Sequence, residues 1–497
     1  MPYYPLLVGV YPVVGLIGSN ITEMYLSAGY RSALVTLLFV LVVYLVFRWL
    51  IKDRYKSALI CTWFFIAFFT YGHVYQLVEG YSISGLLLGR HRFLFPLWLI
   101  ISISAGWLLS RVKWNYHKLT RIAGIVSIFL LVVPIIQIGF FELKRYQSNN
   151  QAEGSREPGS ATGTQEDASS KLPDIYYIIL DGYPRQDMLD KYYNYKNDDF
   201  VEQLEEIGFY VAPCSQSNYA MTLLSLSSSL NMGYLEDLNP DITQIDYPDL
   251  LIHSQARNLL EDLGYQTVSI ESGIWYTEFQ DADYFLTQDK PAARSFFDFS
   301  KLGEFEIMYI RTTIMRLAEE YGSVWIDSLF YNPRQDSYNR ILFEFDTLDE
   351  SAAIPGPKFV FAHILAPHSS GTIFGEDGSF IVAQDDEVAL GNELTYLNQR
   401  TLEVVQNILA TSGIPPVIVI QGDHGLSTES RMSILAAMYF PGAGQDHLYP
   451  NITPVNIFRV IFNIYFDQNY PLIPDKSYYS PYEDMFNFQE VAYPCNP

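Results

Sequence analysis

Short apolar runs alternate with amphipathic segments from Pro173 to the end of the chain. Apolar, β-branched runs predict strands at 175–180, 267–270, 359–364, 417–420 and 436–439. Apolar residues at helical spacing predict helices at 198–206, 222–230, 254–263, 393–410 and 453–465. This alternation predicts an α/β domain with a mostly parallel sheet sandwiched by helices. Residues 275–350 have poor periodicity, and we expect a partly helical insertion there.

The chain before Pro173 has a different pattern. Long apolar stretches occupy 33–51, 58–71, 93–109 and 122–141, with a weaker one at 6–21. A helix needs about 20 apolar residues to cross a bilayer. We therefore predict a transmembrane domain of about five helices in residues 1–145. The Ser-, Gly-, Gln- and Glu-rich residues 146–172 predict a flexible linker, which leaves 173–497 as a separate domain.

Charge orients these spans and excludes one class of partner. Basic residues cluster in two short loops, at Arg48, Lys52, Arg54 and Lys56 and at Arg111, Lys113, Lys118 and Arg121. By the positive-inside rule both loops are cytoplasmic, so everything after Phe141 is predicted to lie outside. Residues 1–150 carry 13 basic and 4 acidic residues, whereas the remainder carries 18 and 51, a net charge of −33. Such an acidic part should repel nucleic acid.

Three cysteines are present. Cys61 lies in a predicted span, and Cys214 and Cys495 lie in the exported part. An oxidising compartment would allow a disulfide between the last two, and two unpaired thiols fit the sequence equally well.

Two predicted strands end in aspartate. Asp181-Gly182 follows the first strand, and Asp423-His424-Gly425 follows the fourth. Either sequence can form a simple turn. However, open α/β sheets place chemistry beyond the carboxyl ends of their strands, and aspartate with histidine is a metal-ligand pair.

Other polar residues occupy comparable positions. Thr222 begins a predicted helix, where Ser217 or Asn218 could serve as the cap and leave the threonine free. His363 and His368 lie at and just beyond the end of the third strand. Each has a simpler explanation, as a buried core histidine or a loop residue, so only the combination points to a site.

In this order the residues resemble the alkaline phosphatase superfamily, specifically its sulfatase-like membrane branch, which includes lipoteichoic acid synthases and lipid A phosphoethanolamine transferases. The resemblance covers about residues 173–470. Within this branch, the chain is most similar to a group of bacterial sulfatase-like membrane proteins. It implies an alkaline-phosphatase-like fold and a place in the bacterial plasma membrane. It further implies that Asp181, Thr222, Asp423 and His424 bind a metal, that Thr222 is the nucleophile, and that His363 and His368 face the substrate's phosphate.

The implied chemistry is consistent with these residue types. A metal-bound threonine hydroxyl ionises near neutral pH and can form a phospho-threonine intermediate. His368 could protonate the leaving alcohol. Mixed oxygen and nitrogen donors suit Zn²⁺ or Mn²⁺. We expect one metal. A second metal is left open, since Asp249 and His253 have ligand spacing but are more simply explained as a solvated helix surface.

Several functions remain compatible with the sequence. Thr222–Leu226 lacks the proline and arginine of the sulfatase motif, which disfavours hydrolysis of sulfuric esters. Asp181 stands where the transferases carry glutamate and phosphatases carry aspartate. We expect transfer of a phospho-alcohol group on a membrane lipid or envelope glycan. The alternatives are an extracytoplasmic phosphatase or phosphodiesterase and a silent envelope-binding protein. The oligomeric state is not predicted.

Overall fold

The computed structural model describes residues 2–21, 26–78, 82–83, 86–87, 90–111, 115–154, 172–238, 247–288, 302–321, 333–368, 373–382, 387–481, 484–491 and 495. The chain forms two compact units. The membrane unit comprises Met1–Asn149 and Pro291–Tyr331, and the α/β unit comprises Asn150–Lys290 and Asn332–Pro497.

The helices and strands are numbered in chain order. The helices are α1 (Tyr4–Ser19), α2 (Tyr30–Ile51), α3 (Arg54–Val78), α4 (His91–Arg111), α5 (Tyr116–Gly154), α6 (Gln186–Tyr193), α7 (Asp198–Glu206), α8 (Thr222–Leu230), α9 (Leu235–Leu238), α10 (Tyr247–Ile252), α11 (Gln255–Asp262), α12 (Glu304–Thr312), α13 (Arg316–Tyr321), α14 (Pro333–Glu350), α15 (Glu387–Thr411) and α16 (Pro454–Tyr465). The strands are β1 (Ser82–Ile83), β2 (Leu86–Leu87), β3 (Ile175–Leu180), β4 (Tyr210–Val211), β5 (Gln266–Ile270), β6 (Tyr284–Leu286), β7 (Lys358–Ile364), β8 (Val417–Gly422), β9 (Ala436–Tyr439), β10 (Ser477–Tyr479) and β11 (Gln489–Val491).

The membrane unit contains the predicted apolar helices. Among the described residues, four helices are long and apolar enough to cross a membrane: Leu26–Ile51, Arg54–Val78, His91–Arg111 and Tyr116–Leu143. The weaker first stretch forms α1, a shorter apolar helix of 16 residues. α5 continues to Gly154, so the first residues of the predicted linker are helical, and the rest of that linker, 155–171, lies outside the described residues.

The predicted insertion at 275–350 contains strand β6 and helices α12, α13 and α14. Two of these helices, α12 and α13, belong to the membrane unit, whereas β6 and α14 belong to the α/β unit. The chain therefore returns to the membrane unit between two parts of the α/β unit.

Within the described residues, the main sheet of the α/β unit has seven strands in the order β4-β9-β8-β3-β7-β5-β6. β3, β5, β6, β7 and β8 run parallel, while β9 is antiparallel to β8 and to β4. The predicted α/β fold with a mostly parallel sheet is confirmed. All five predicted strands are present, and β3 and β9 have the predicted bounds.

Helices cover both faces of this sheet because both faces are apolar. In β3, Tyr176, Ile178 and Leu180 pack into a core with α7, α14 and α15. Ile175, Tyr177 and Ile179 face the opposite core, with α8, α11 and α16. Every residue of β3, β7 and β8 is buried, which explains why these strands appear in the sequence as continuous apolar runs. A disulfide joins Cys214 to Cys495, with the two Cα atoms 5.6 Å apart.

Candidate metal centre

The sheet register places the two strand-end aspartates side by side. Leu180 of β3 pairs with Gly422 of β8, so the next residues, Asp181 and Asp423, lie at the same level of adjacent strands. Asp423 is fully buried. Its Oδ1 accepts hydrogen bonds from the backbone N–H groups of Gly182 and His424, both at 2.9 Å. These two bonds fix the carboxylate, and its Oδ2 has no hydrogen-bond partner among the described residues.

Glycine is required immediately after Asp181. Gly182 has φ +73°, in the left-handed region, and a Cβ there would lie 2.6 Å from the Cβ of His368. The N–H of His368 donates to the carbonyl of Asp181 at 3.1 Å. This close approach brings the loop after β7 against the end of β3.

His424 connects the aspartates to the threonine. Its Nε2 lies 3.6 Å from Asp181 Oδ1, 3.4 Å from Asp423 Oδ2 and 3.2 Å from Thr222 Oγ1. Its Nδ1 lies 3.1 Å from the carbonyl oxygen of Gly425, which can only accept. The proton is therefore on Nδ1, and the lone pair of Nε2 faces the other three groups. Burial lowers the pKa of His424, which favours this neutral form.

The other two histidines also reach Asp181. His363 is buried, with its Nε2 3.8 Å from Asp181 Oδ2 and its Nδ1 3.0 Å from Thr277 Oγ1. Since Thr277 donates its hydroxyl proton to the carbonyl of Ile274, His363 must donate from Nδ1 and present the lone pair of Nε2.

His368 is the exposed member of the group. Its side chain is 45% exposed and its Nδ1 lies 3.3 Å from Asp181 Oδ1. The hydrogen bond with Asp181 raises the pKa of His368, although partial burial opposes this. An imidazole whose pKa is raised and which contacts solvent is a suitable proton donor.

Thr222 is the first residue of α8, as predicted. Neither Ser217 nor Asn218 caps this helix, so that part of the sequence argument was wrong. Met221 is the N-cap, without a side-chain cap, whereas Ser217 Oγ donates to the carbonyl of Asp423 at 2.5 Å and Asn218 accepts from the N–H of Val455. The first N–H groups of α8 thus lack a side-chain cap, the arrangement in which a helix start binds anions.

These donors fit a divalent cation. Two groups of residues each offer ligand atoms that lie within 4.8 Å of one another. The first group is Asp181, His368 and His424, and the second is Asp181, His363 and Asp423. Two buried atoms of these groups, Asp423 Oδ2 and His363 Nε2, have no hydrogen-bond partner in the part of the chain described. A bound cation would satisfy both and would balance the two carboxylates. Although burial raises the pKa of Asp423, that pKa is lowered on balance, and the backbone N–H of Gly182 donates to the carboxylate.

The structure brings together all six residues that the sequence nominated: Asp181, Thr222, His363, His368, Asp423 and His424. The pair Asp249 and His253 is outside both groups. The ring of His253 is bonded to Asp249 at 2.8 Å and lies 3.6 Å from Asp281, so it belongs to a separate ion-pair cluster.

Sequence reasoning missed two supporting residues. Arg431 donates from Nε to the carbonyl of Ala220 at 2.6 Å and from an η nitrogen to that of Gly425 at 3.1 Å, which joins the loops before Thr222 and after His424. Its isolation was a usable signal, since it is the sole basic residue between Arg400 and Arg459. Thr277, which fixes the ring of His363, has no such signal.

No protein-family model matches the chain. No curated protein matches it significantly. A comparison with solved structures finds 62 matching chains, and three of these are described here. The integral membrane lipooligosaccharide phosphoethanolamine transferase A of Neisseria meningitidis is 12% identical, with 93% of this chain and 94% of that chain covered and a TM-score of 0.37. The C-terminal periplasmic domain of phosphoethanolamine transferase EptC from Campylobacter jejuni is 11% identical, over 60% and 90%, with a TM-score of 0.38.

The third is the C-terminal periplasmic domain of EcEptC from Escherichia coli in complex with Zn, which is 12% identical over 59% of this chain and 82% of that chain, with a TM-score of 0.37. At this distance the matches transfer no residue role to the chain.

Proposed function

We propose that the α/β unit is the catalytic domain of a metal-dependent enzyme that transfers or hydrolyses a phospho-alcohol group of a membrane lipid or envelope glycan. One observation carries this proposal. The Thr222 hydroxyl, at an uncapped helix start, lies 3.2 Å from the unprotonated Nε2 of His424 and next to two aspartates. A hydroxyl nucleophile, a cation site and an anion-binding helix end are the components that phosphoryl transfer needs.

Asp181, Thr222, Asp423 and His424 would hold the metal, which we propose to be Zn²⁺ or Mn²⁺. When bound, such an ion supplies Lewis acidity, which lowers the pKa of a coordinated hydroxyl and neutralises charge on phosphoryl oxygens. The carbonyl of Gly425 holds the imidazole of His424 in the tautomer that can bind it. Thr277 fixes the ring of His363, which would face the substrate's phosphate.

The chain's own residues then account for the bond changes. The half-buried Thr222 hydroxyl loses its proton to solvent, and its Oγ1 forms a bond to phosphorus as the bond from phosphorus to the leaving alcohol breaks. The first N–H groups of α8 face the phosphoryl oxygens. His368 donates a proton to the departing alkoxide. The phospho-threonine is finally cleaved by an acceptor alcohol in a transferase, or by water in a hydrolase.

The compartment forms part of this proposal. Basic loops at 48–56 and 111–121 favour an exported α/β unit, and the Cys214–Cys495 disulfide is stable in an oxidising compartment. We propose that the protein resides in the bacterial plasma membrane with its catalytic domain outside, where lipid-borne substrates are abundant.

Substitution of Thr222 tests the nucleophile. We expect Thr222→Ala to retain the fold, with a stability loss on the order of 1 kcal/mol from the lost contact with His424, and to reduce turnover of bis-p-nitrophenyl phosphate by several orders of magnitude. Thr222→Ser should retain part of the activity because it keeps the hydroxyl. The matched control is Thr411→Ala, an exposed threonine at the end of α15, which should leave turnover unchanged.

If Thr222→Ala turns over like the wild type, covalent catalysis is wrong and a water nucleophile takes its place. Mass spectrometry of the Thr222 peptide after incubation with envelope lipid extract would identify the transferred group. Adding an alcohol acceptor separates the two outcomes, because a transferase forms the new ester and a hydrolase releases the group to water.

A further inference from the structure

The chain leaves the α/β unit after β6 and re-enters it at α14, and the described residues in between, 302–321, belong to the membrane unit. α12 and α13, with nine and six residues, are too short to cross a bilayer. Glu306 and Arg311 make α12 a poor candidate for insertion into lipid. Contacts with the other helices of the membrane unit must therefore keep this segment in place.

Polar contacts join α12 to the start of α2. The Arg31 guanidinium donates from two nitrogens to the two carboxylate oxygens of Glu306, and the side chains are 14% and 11% exposed. Glu306 also accepts from the N–H of Gly303 at 2.7 Å and so closes the first turn of α12. Further along, the hydroxyls of Thr36 and Tyr309 lie 2.8 Å apart in a buried position. Bidentate and buried pairs of this kind fix one orientation of the helix.

The segment also lies directly on the backbone of α3. A Cβ at Gly72 would be 2.0 Å from the carbonyl oxygen of Arg311 and 2.7 Å from the Cα of Thr312. One turn earlier, the carbonyl of Phe68 accepts from the N–H of Ile314 at 2.9 Å. Backbones approach this closely where a helix presents a small residue, here the glycine of α3.

We propose that residues 302–321 are a second membrane attachment of the exported part, one that holds independently of the linker after α5. The attachment surface is formed by Arg31 and Thr36 of α2 and by Phe68, Gly72 and Tyr75 of α3, the last with the Arg316 guanidinium 4.4 Å from its ring centre. These are the helix ends that the basic loops assign to the outer side, the side on which a segment flanked by the α/β unit must lie. This proposal does not depend on the proposed enzymatic function.

Cutting the linker tests the attachment. A recognition sequence for a site-specific protease replaces part of 155–171 in the full-length protein, and opened membranes are treated with the protease and sedimented. We expect the fragment that carries the α/β unit to stay with the membranes. Gly72→Leu, which places a side chain where the backbone of 311–312 lies, should release that fragment into the supernatant.

Two controls keep this result interpretable. Gly139→Leu makes the same change in α5, where a Cβ meets nothing within 4 Å, and should leave the fragment bound. Glu306→Arg and Arg31→Glu should each release it, and the double charge exchange should restore retention, which a misfolded membrane unit would not do. Release of the wild-type fragment, or retention by both Gly72→Leu and Glu306→Arg, would overturn the proposal.

Discussion

At the scale of single residues, Asp423 gives the most direct test of the metal centre. Its Oδ1 is held by two backbone N–H groups, and its Oδ2 faces His424 at 3.4 Å. Asp423→Asn keeps an oxygen for the N–H groups but turns the other position into an N–H₂ donor, which cannot bind a cation. We expect affinity for Zn²⁺ or Mn²⁺ to fall by more than about tenfold, the loss seen when even outer partners of metal ligands are removed.

Metal content of the purified protein, measured by inductively coupled plasma mass spectrometry, checks this expectation. Asp190→Asn, a substitution of an exposed aspartate on α6, is the matched control and should bind metal like the wild type. Equal metal content in Asp423→Asn and the wild type would show that the centre lies elsewhere.

The sequence predicts some site residues and not others for a physical reason. Asp181 and Asp423 follow apolar strands, and parallel strands bring their carboxyl ends to one edge whatever the loops do. Arg431 and Thr277 act through hydrogen bonds to Ala220, Gly425 and His363, and these pairings depend on loop paths. The path of a loop cannot be predicted from the local periodicity of the sequence.

At the scale of secondary-structure elements, burial decides what could be predicted. Strands β3 and β9 and helices α7 and α8 have the predicted bounds because each packs an apolar face or both faces into a core. α12 has no such pattern, since it is buried partly through polar side chains, among them Glu306 and Tyr309. Its place in the membrane unit follows from partners more than 270 positions away in the chain.

The ion-pair cluster at α10 and α11 predicts a pH dependence of stability. Hydrogen bonds to Asp249 and Asp281 raise the pKa of His253 to about 9 from 6.5, against the effect of burial. A raised histidine pKa stabilises the fold fully below pH 6.5, and that stability is lost as pH rises through about 9. The pKa of Asp281 is lowered, despite burial, by His253 and Arg257, so its contribution is lost only in acid.

We therefore expect the melting temperature to fall between about pH 6.5 and pH 9.5, and His253→Gln to remove part of that fall. The difference should be on the order of 1 kcal/mol, because the carboxylate partners are 49% and 39% exposed and solvent screens the pairs. His447→Gln, an exposed histidine outside the cluster, should keep the wild-type profile. Identical pH profiles for His253→Gln and the wild type would exclude this role.

At the scale of the whole molecule, the two parts of the chain differ in net charge and in the presence of a disulfide. The net charge is +9 over residues 1–150 and −33 over the rest, and the disulfide lies in the acidic part. These features predict one orientation, with the turn between α2 and α3 inside and residues after Phe141 outside. This orientation can be measured by labelling introduced cysteines, because the native cysteines should react little: Cys61 is buried and the other two are bonded to each other.

Cysteines introduced singly report this orientation. Ser160→Cys lies in the predicted linker. Arg54→Cys lies at the exposed start of α3 and leaves three basic residues in its loop. We expect a membrane-impermeant maleimide to label Ser160→Cys in intact spheroplasts and to label Arg54→Cys only after the membrane is opened, because the basic loop stays on the cytoplasmic side. The unsubstituted chain should take up little reagent in either condition. Labelling of Arg54→Cys in intact spheroplasts, with Ser160→Cys protected until lysis, would invert the topology and place the metal centre in the cytoplasm, where neither the disulfide nor an envelope substrate would be expected.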